Sequence, residues 1–221
     1  MSECPKVKVR TRLPTRSLPP HAERKPIRTE RLILRPFSED DLDGLYALRS
    51  QAEVMNFTSV GRIDADKEET RAFIARFLPP NDSGTYNVVV CLASTGEIVG
   101  TGGMHRTNQT FGWPEIGYLF KREHWGQGYA TEFLKGFVDH WWTLPRTEVE
   151  LEVDAQSVNG SGIVPDMLTA VIEDHNLSSR RVLEKLGFQE FKQWVEPDSR
   201  ENFPDTVSLI GFKLPSAEQK S

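Results

Sequence analysis

The sequence has little cysteine, no long hydrophobic run and no cluster of metal-binding side chains. Its 221 residues include two cysteines, Cys4 and Cys91, and no C-x-x-C pair, which argues against a disulfide framework. No apolar stretch reaches the roughly 18 residues that a membrane-spanning helix needs, and the first residues lack a signal-peptide pattern. The five histidines are scattered, without metal-ligand spacing. These absences predict a cytoplasmic protein in a reducing compartment, with no metal and no membrane partner.

Charge is distributed unevenly along the chain. Residues 1–26 hold seven Lys or Arg and two acidic residues, whereas the whole chain has a net charge of −5, so the remainder is strongly acidic. The first segment is also rich in proline, which favours an extended, poorly ordered arm. This arm either docks on an acidic partner or is a solvated extension of the domain. The acidic body argues against general nucleic-acid binding and suits a positively charged amine substrate, and solubility explains it equally well.

The most informative segment is a glycine turn at residues 125–131, W-G-Q-G-Y-A-T. It follows an apolar strand-like run and precedes an amphipathic helix, where first-turn N–H groups lack partners and attract anions. Gly126 and Gly128 have no Cβ, so a phosphate can approach the backbone closely. The Walker, dinucleotide and kinase glycine patterns do not fit. The segment predicts a pyrophosphate site, with an ordinary turn as the alternative.

Three motifs, in the right order, resemble the GNAT N-acetyltransferases. The glycine turn is similar to their CoA-binding motif Q/R-x-x-G-x-G/A, with Trp125 in the first position, as in the branch that acetylates ribosomal-protein N-termini. Residues 29–36, T-E-R-L-I-L-R-P, resemble the opening strand of that branch. Residues 176–188, N-L-S-S-R-R-V-L-E-K-L-G-F, resemble its N-x-x-S…L-E-K-L-G-F ending. The resemblance covers residues 27–213.

The resemblance implies the GNAT fold, an α/β (α+β mixed) architecture with a central mixed sheet of about six to seven strands and helices on both faces. The alternating and helical apolar patterns agree. Strands are predicted at 30–37, 86–93, 97–104, 115–121, 147–154, 188–194 and 206–214, and helices after Ser38 and at 64–78, 130–142 and 178–186. The predicted divisions are the arm at 1–26, the acetyltransferase domain at 27–214 and a tail at 215–221.

The resemblance also implies acetyl-CoA as the co-substrate. Strands 115–121 and 147–154 are expected to separate and to hold the pantetheine arm between them, as an added strand would lie. A backbone N–H of the first strand is implied to polarise the thioester carbonyl. The residues implied to bind the cofactor are Tyr118, Leu119, Phe120, Gly126, Gln127, Gly128, Tyr129, Ala130, Thr131 and Asn176.

The acceptor amine must lose a proton before it attacks, and the departing thiolate must gain one. Glu115, at the start of the cofactor strand, is the candidate general base, with His105 as an alternative. Many family members protonate the thiolate with a Tyr, but Leu183 occupies that place here. The implied substitute is the Ser of N-x-x-S, which is Ser179. The structural alternatives are a salt bridge for Glu115, a surface position for His105, and a helix N-cap at Ser179 or Ser178.

One segment, residues 155–175, departs from the family pattern. Its first part is typical of a loop, and residues 163–174 place apolar side chains on one helical face. That predicted helix packs on its own core, covers the acceptor site or contacts a second subunit in a homodimer. Residues 54–58 are expected to line the opposite wall of the acceptor site.

The predicted function is transfer of an acetyl group from acetyl-CoA to a primary amine by direct attack on the thioester. The sequence does not name the acceptor: a protein N-terminus, a polyamine, an amino sugar, an amino acid and a drug-like amine all fit, and longer acyl groups are not excluded. The alternatives are a non-catalytic acyl-CoA-binding protein and a protein-interaction module on the same fold.

Overall fold

The computed structural model describes residues 5–106 and 110–216. Its strands are β1 (Lys6–Pro14), β2 (Ile27–Arg28), β3 (Leu32–Arg35), β4 (Tyr86–Leu92), β5 (Ile98–Arg106), β6 (Glu115–Phe120), β7 (Arg146–Asp154), β8 (Gly162–Ile163), β9 (Met167–Glu173), β10 (Gln189–Pro197) and β11 (Thr206–Pro215). Its α-helices are α1 (Leu42–Arg49), α2 (Ala52–Met55), α3 (Lys67–Ala75), α4 (Tyr129–Trp141) and α5 (Leu177–Lys185). Cys4 lies outside the described residues, and Cys91 is buried in β4.

Eight strands form one mixed sheet in the order β10-β11-β9-β6-β5-β4-β3-β2. All neighbouring strands are antiparallel except β6 and β9, which are parallel. Helices α4 and α5 pack on one face of the sheet, and α1 and α3 pack on the other. The predicted fold class is therefore confirmed, with more strands than expected.

Local sequence signals explain the elements that were predicted correctly. Ser38 and Asp41 form a capping box at the turn that leads into α1, which satisfies N–H groups at the helix start. Helix α4 buries one stripe of large side chains, namely Phe133, Leu134, Phe137, Val138 and Trp141, because residues three and four apart share a face. Strand β4 is buried along almost its whole length, as a central strand covered on both faces should be.

The expected helix within residues 155–175 is wrong. Residues 167–173 form strand β9, which pairs with β11 over its full length. Met167, Leu168, Thr169 and Ala170 are all buried, which is the pattern of a strand covered on both faces, and a short apolar run of this kind does not distinguish strand from helix. The apolar side chains that suggested a dimer contact therefore lie within the main sheet, and a homodimer stays a prediction.

The expected role of residues 147–154 is also wrong. They form strand β7, as predicted, but β7 pairs with β1 over nine residues in a separate sheet of order β7-β1-β8. The partner of β6 in the main sheet is β9. Apolar residues of β1 and β7, such as Val9 and Val153, pack with Phe111, Trp113 and Met167, so the small sheet covers one side of β9.

The basic arm is more ordered than its composition predicted. Strand β1 alternates charged and apolar residues, and its charged residues lie opposite the glutamates of β7: Lys8 opposite Glu152, Arg10 opposite Glu150 and Arg12 opposite Glu148. Such cross-strand charge pairs stabilise a sheet. Arg24 is buried and donates to the carbonyl oxygens of Pro19, Asp82 and Thr85. A docking function for the arm, and the proposed domain boundaries, stay predictions.

Candidate active site

A gap opens in the main sheet between β6 and β9. The two strands pair at a single position, Glu115 with Thr169. On the opposite edge of β6, by contrast, β5 pairs with the full length of the strand. Beyond Glu115, no strand of the described part of the chain occupies the β9 side of β6. Tyr118, Leu119 and Phe120 lie on this edge, as predicted. An open strand edge can accept an extended ligand that adds to the sheet through its own amides.

The glycine turn lies directly after this open edge. Gly126 has a φ of +73° and Gly128 has a φ of +83°, a left-handed conformation that only glycine adopts without strain. Gly128 is the N-cap of α4, and no side chain of the described residues caps that helix. The first-turn N–H groups, from Tyr129 to Thr131, thus form the type of site that binds phosphate.

Two side chains hold the glycine turn in place. The Trp125 indole Nε1 donates to the Phe120 carbonyl oxygen at 2.7 Å, which ties the turn to the end of β6. The Gln127 amide Nε2 donates to the Glu123 carbonyl oxygen at 2.9 Å, so this side chain folds back along the turn. The aromatic residue that replaces the usual Gln or Arg therefore has a structural role, and the side-chain amide of Gln127 is used within the turn.

The candidate base lies where the two strands meet. The side chain of Glu115 is 12% exposed, and its Oε1 lies 3.4 Å from His105 Nε2. Thr110 Oγ1 donates to Glu115 Oε2 at 2.9 Å. The β5–β6 register shifts at position 105, and such an irregularity re-aims a side chain. Gly117 makes room for the imidazole, since a Cβ there would lie 2.9 Å from His105 Cε1. The two candidate bases therefore form one cluster.

The N-cap of α5 is Asn176 rather than a serine. Its Oδ1 accepts from the backbone N of Ser179 at 3.0 Å, so Asn176 performs the capping role that was expected of Ser179 or Ser178. This contact orders the loop between β9 and α5, and the implied role of Asn176 in cofactor binding stays a prediction. The hydroxyl of Ser179 does not serve as the helix cap.

A second hydroxyl, on Tyr118, is buried next to Ser179. No atom within 5–106 and 110–216 meets the geometry of a hydrogen bond to the Tyr118 hydroxyl. Burial raises the pKa of Tyr118 to about 12, and the nearby Ser179 side chain offsets part of the rise, so the phenol is protonated at neutral pH. Leu183, at the place of the family's acid, is fully buried in the core. The family motifs imply a cofactor-binding role for Tyr118 but do not indicate that its hydroxyl lies beside Ser179.

Residues 54–58 lie across from the end of β9, and their place in the wall of an acceptor site stays a prediction. The Phe57 ring, which is 40% exposed, lies 5.6 Å from the ring of His175. Arg200 links residues 54–58 to the end of β9, because its Nη1 donates to the Asn56 carbonyl oxygen at 2.8 Å and to Glu173 Oε1 at 2.5 Å. No sequence signal marks these two contacts, since Asn56 and Glu173 are both distant from Arg200 in the chain.

The acid and base candidates approach the gap from opposite faces of the sheet. Alternate residues of a strand face opposite sides, and Tyr118 packs on the core under α4 whereas Leu119 packs on the core under α1 and α3. Glu115 shares the Leu119 face by this alternation. A ligand in the gap can therefore be reached by a base from one side and by a proton donor from the other.

Two other kinds of feature are a metal centre and a membrane-spanning helix. Among the described residues, no group of three or more His, Cys, Asp or Glu side chains is placed to hold a metal ion. No helix in the described ranges is long and apolar enough to cross a membrane.

The comparisons with known proteins agree with this geometry. The family model of the acetyltransferase (GNAT) domain matches residues 31–189. An uncharacterized N-acetyltransferase, p20 of Bacillus licheniformis, is 32% identical over 128 residues, which cover 56% of this chain and 71% of p20.

Solved structures share the fold at low sequence identity. A GNAT-family acetyltransferase from Bacillus anthracis has a TM-score of 0.66 at 21% identity and covers 88% of this chain and 100% of its own. Mycobacterium smegmatis RimJ in complex with CoA-disulfide has a TM-score of 0.63 at 20% identity and covers 89% of this chain and 88% of its own.

Proposed function

The chain belongs to the GNAT acetyltransferase family, and we propose that it transfers the acetyl group of acetyl-CoA to a primary amine by direct attack on the thioester. The main observation in support of this proposal is the gap between β6 and β9. It lies next to the glycine-rich start of α4, which has no side-chain cap. An extended arm fits the first feature and a pyrophosphate fits the second. The arrangement supports a ligand that has both parts.

The backbone of the chain is proposed to bind the co-substrate. N–H groups from Gly126 to Thr131 donate hydrogen bonds to the pyrophosphate oxygens, and the open edge of β6 pairs with the amides of the pantetheine arm. Acetyl-CoA supplies the activated acetyl group. A backbone N–H on β6 polarises the thioester oxygen as negative charge develops there. Because both reactants are held in one gap, positioning contributes much of the rate.

Glu115 is proposed to take the proton from the acceptor ammonium, directly or through a water. His105, 3.4 Å away, either relays that proton or replaces Glu115 as base. Thr110 orients the carboxylate through its hydrogen bond. The site thus supplies the base that an amine needs, because near neutral pH most of the amine is protonated and cannot attack.

Ser179 is proposed to return a proton to the sulfur when the thioester bond breaks. Its hydroxyl is not used as a helix cap, and Tyr118 beside it stays protonated, so the pair can supply one proton as one is removed on the other face. The acceptor nitrogen loses two protons in all, one from the ammonium before the attack and one from the tetrahedral intermediate as the amide forms. One of them replaces, by way of solvent, the proton that Ser179 gives to the sulfur, and the other is released, so the products are the amide, the CoA thiol and one proton.

A peptide N-terminus is the acceptor that we favour. The exposed Phe57 ring packs against His175, whose Nδ1 lies 3.3 Å from the exposed carboxylate of Asp174. An apolar ring and an acidic group on one surface suit an amine beside an apolar side chain. The resemblance of residues 125–131 to the branch that acetylates ribosomal-protein N-termini supports a protein acceptor.

The test of this function is release of free thiol from acetyl-CoA in the presence of different amines. Peptides with a free N-terminus should give the highest turnover, and matching N-formylated peptides should give none. Polyamines, amino sugars and amino acids serve as the comparison set. Binding of acetyl-CoA without thiol release from any amine would instead support a non-catalytic acyl-CoA-binding protein.

Ser179→Ala is expected to lower kcat by about tenfold or more, with little change in KM for acetyl-CoA, because a positioned proton donor acts mainly in the transition state. Alanine favours the helix, so α5 should remain folded. Ser178→Ala is the matched control, since Ser178 is the exposed neighbour on the same helix, and it should leave kcat unchanged. Equal kcat values for the two variants would remove Ser179 from the mechanism.

A further inference from the structure

Arg31, just before β3, lies against the glycine turn. Its Nη1 donates to the Gln127 carbonyl oxygen at 3.0 Å, and its Nε donates to Glu132 Oε2 at 2.7 Å. The guanidinium carbon lies 4.6 Å from the centre of the Tyr129 ring. Two of the three guanidinium nitrogens are thus used to hold residues 127–132 to the edge of the sheet.

The third nitrogen, Nη2, is directed towards Gly128. A Cβ on Gly128 would lie 3.4 Å from Arg31 Nη2, so this nitrogen borders the concave part of the turn. None of the residues that the structure describes accepts a hydrogen bond from it. The side chain of Arg31 is 44% exposed. The Nη2 group of Arg31 therefore lies beside the glycine turn and can donate a hydrogen bond to a further acceptor.

Glu132 explains why a positive charge is needed here. It lies in the first turn of α4, where a bare carboxylate would repel a phosphate bound at the helix start. Its Oε1 accepts from Thr29 Oγ1 at 2.6 Å and from the backbone N of Arg31 at 2.7 Å. Together with the Arg31 guanidinium, these donors neutralise the carboxylate and turn it towards the sheet.

We propose that Arg31 binds a pyrophosphate oxygen of the CoA donor through Nη2, while Nε and Nη1 hold the glycine turn. This inference rests on the proposed function. The pyrophosphate is favoured over the 3′-phosphate because Nη2 borders Gly128, at the start of the helix where the backbone N–H groups lie. Guanidinium and phosphate form strong charge-assisted hydrogen bonds, so Arg31 adds a side-chain contact to a site otherwise built from backbone.

The test is calorimetric titration of the full chain with CoA and with 3′-dephospho-CoA. Arg31→Ala should bind both ligands about tenfold to a hundredfold more weakly than the wild type, since both contain the pyrophosphate. Arg31→Lys should bind with intermediate affinity, because it keeps the positive charge but loses the planar guanidinium that donates to several acceptors at once. Arg71→Ala, which removes an exposed arginine on α3, is the charge control and should bind as the wild type does.

Glu132→Gln separates phosphate binding from support of the turn. If Arg31 binds the pyrophosphate, this variant should bind CoA at least as tightly as the wild type. An equal loss in Glu132→Gln and Arg31→Ala would overturn the proposal, because Arg31 would then act only through Glu132. A loss in Arg31→Ala that vanishes with 3′-dephospho-CoA would also overturn it. Failure of the wild type to bind either ligand would instead contradict the proposed function itself.

Discussion

Gly128→Glu is expected to abolish binding of acetyl-CoA. The residue has a φ of +83°, where a side chain costs about 1–2 kcal/mol, and the new carboxylate would lie beside Arg31 Nη2 and occupy the anion site. Repulsion between unit charges about 4 Å apart is about 4 kcal/mol near a protein surface. Affinity should therefore fall by about a thousandfold, measured by calorimetric titration.

Gly160→Glu is the matched control for that variant. Gly160 has a φ of +97° and would place its Cβ in open space, within a loop distant in sequence from the glycine turn. It receives the same side chain and a similar backbone strain, so it should lose some stability and bind acetyl-CoA normally. Normal binding by Gly128→Glu would show that the glycine turn is not the phosphate site.

Glu115→Gln should lower kcat by about a hundredfold or more, with KM for acetyl-CoA nearly unchanged. The amide keeps the size of the side chain but cannot take a proton, and general base catalysis contributes about 10²–10⁴ in rate. The acidic limb of the pH–rate profile should disappear if Glu115 is the base. Steady-state kinetics across pH, with a saturating amine acceptor, measure both effects.

His105→Gln is the companion to Glu115→Gln, because the two side chains touch. If Glu115 is the base, loss of the imidazole should reduce kcat by less than loss of the carboxylate. The opposite ranking, with His105→Gln more damaging and the acidic limb preserved in Glu115→Gln, would assign the base to His105.

The elements that carry the family motifs could be predicted because their signals are local. The glycine turn, helix α4 after it and the capping box at Ser38 each depend on residues close together in the chain. Strand β1 also had a local signal, the alternation K-V-K-V-R-T-R-L at residues 6–13, which is typical of a strand with one buried face. The prolines and the net charge of the arm favour a poorly ordered segment, which is the opposite of what this alternation predicts.

The partners of the strands could not be predicted locally. Strand β7 pairs with β1, far away in the sequence. The alternating charges of the two strands are complementary, but other charged segments of the chain would also match β1, so this pattern does not identify the partner. Strand β9 is apolar on both faces, so its sequence fits a buried helix as well as a strand. The gap was therefore predicted between β6 and β7, whereas the gap in the structure lies between β6 and β9.

The backbone features of the candidate site have local sequence signals, whereas its side-chain contacts do not, and the roles of its residues stay predictions. Glycines and a helix start are visible in sequence, whereas the contact of His105 with Glu115 depends on an irregularity between β5 and β6. The burial of the Tyr118 hydroxyl depends on how α4 and α5 pack over β6. Both are properties of tertiary packing, which one sequence does not display.

The most direct test of the central claim is the melting temperature of the wild type with and without acetyl-CoA. A ligand at about 100 times its dissociation constant adds about 2.7 kcal/mol to the free energy of unfolding. For a chain of this size the melting temperature should rise by about 5–10 °C. Pantetheine at the same concentration should give a much smaller rise, because it lacks the phosphates. An unchanged melting temperature at saturating acetyl-CoA would contradict the account, and the turn at Gly126 and Gly128 would then be a structural turn only.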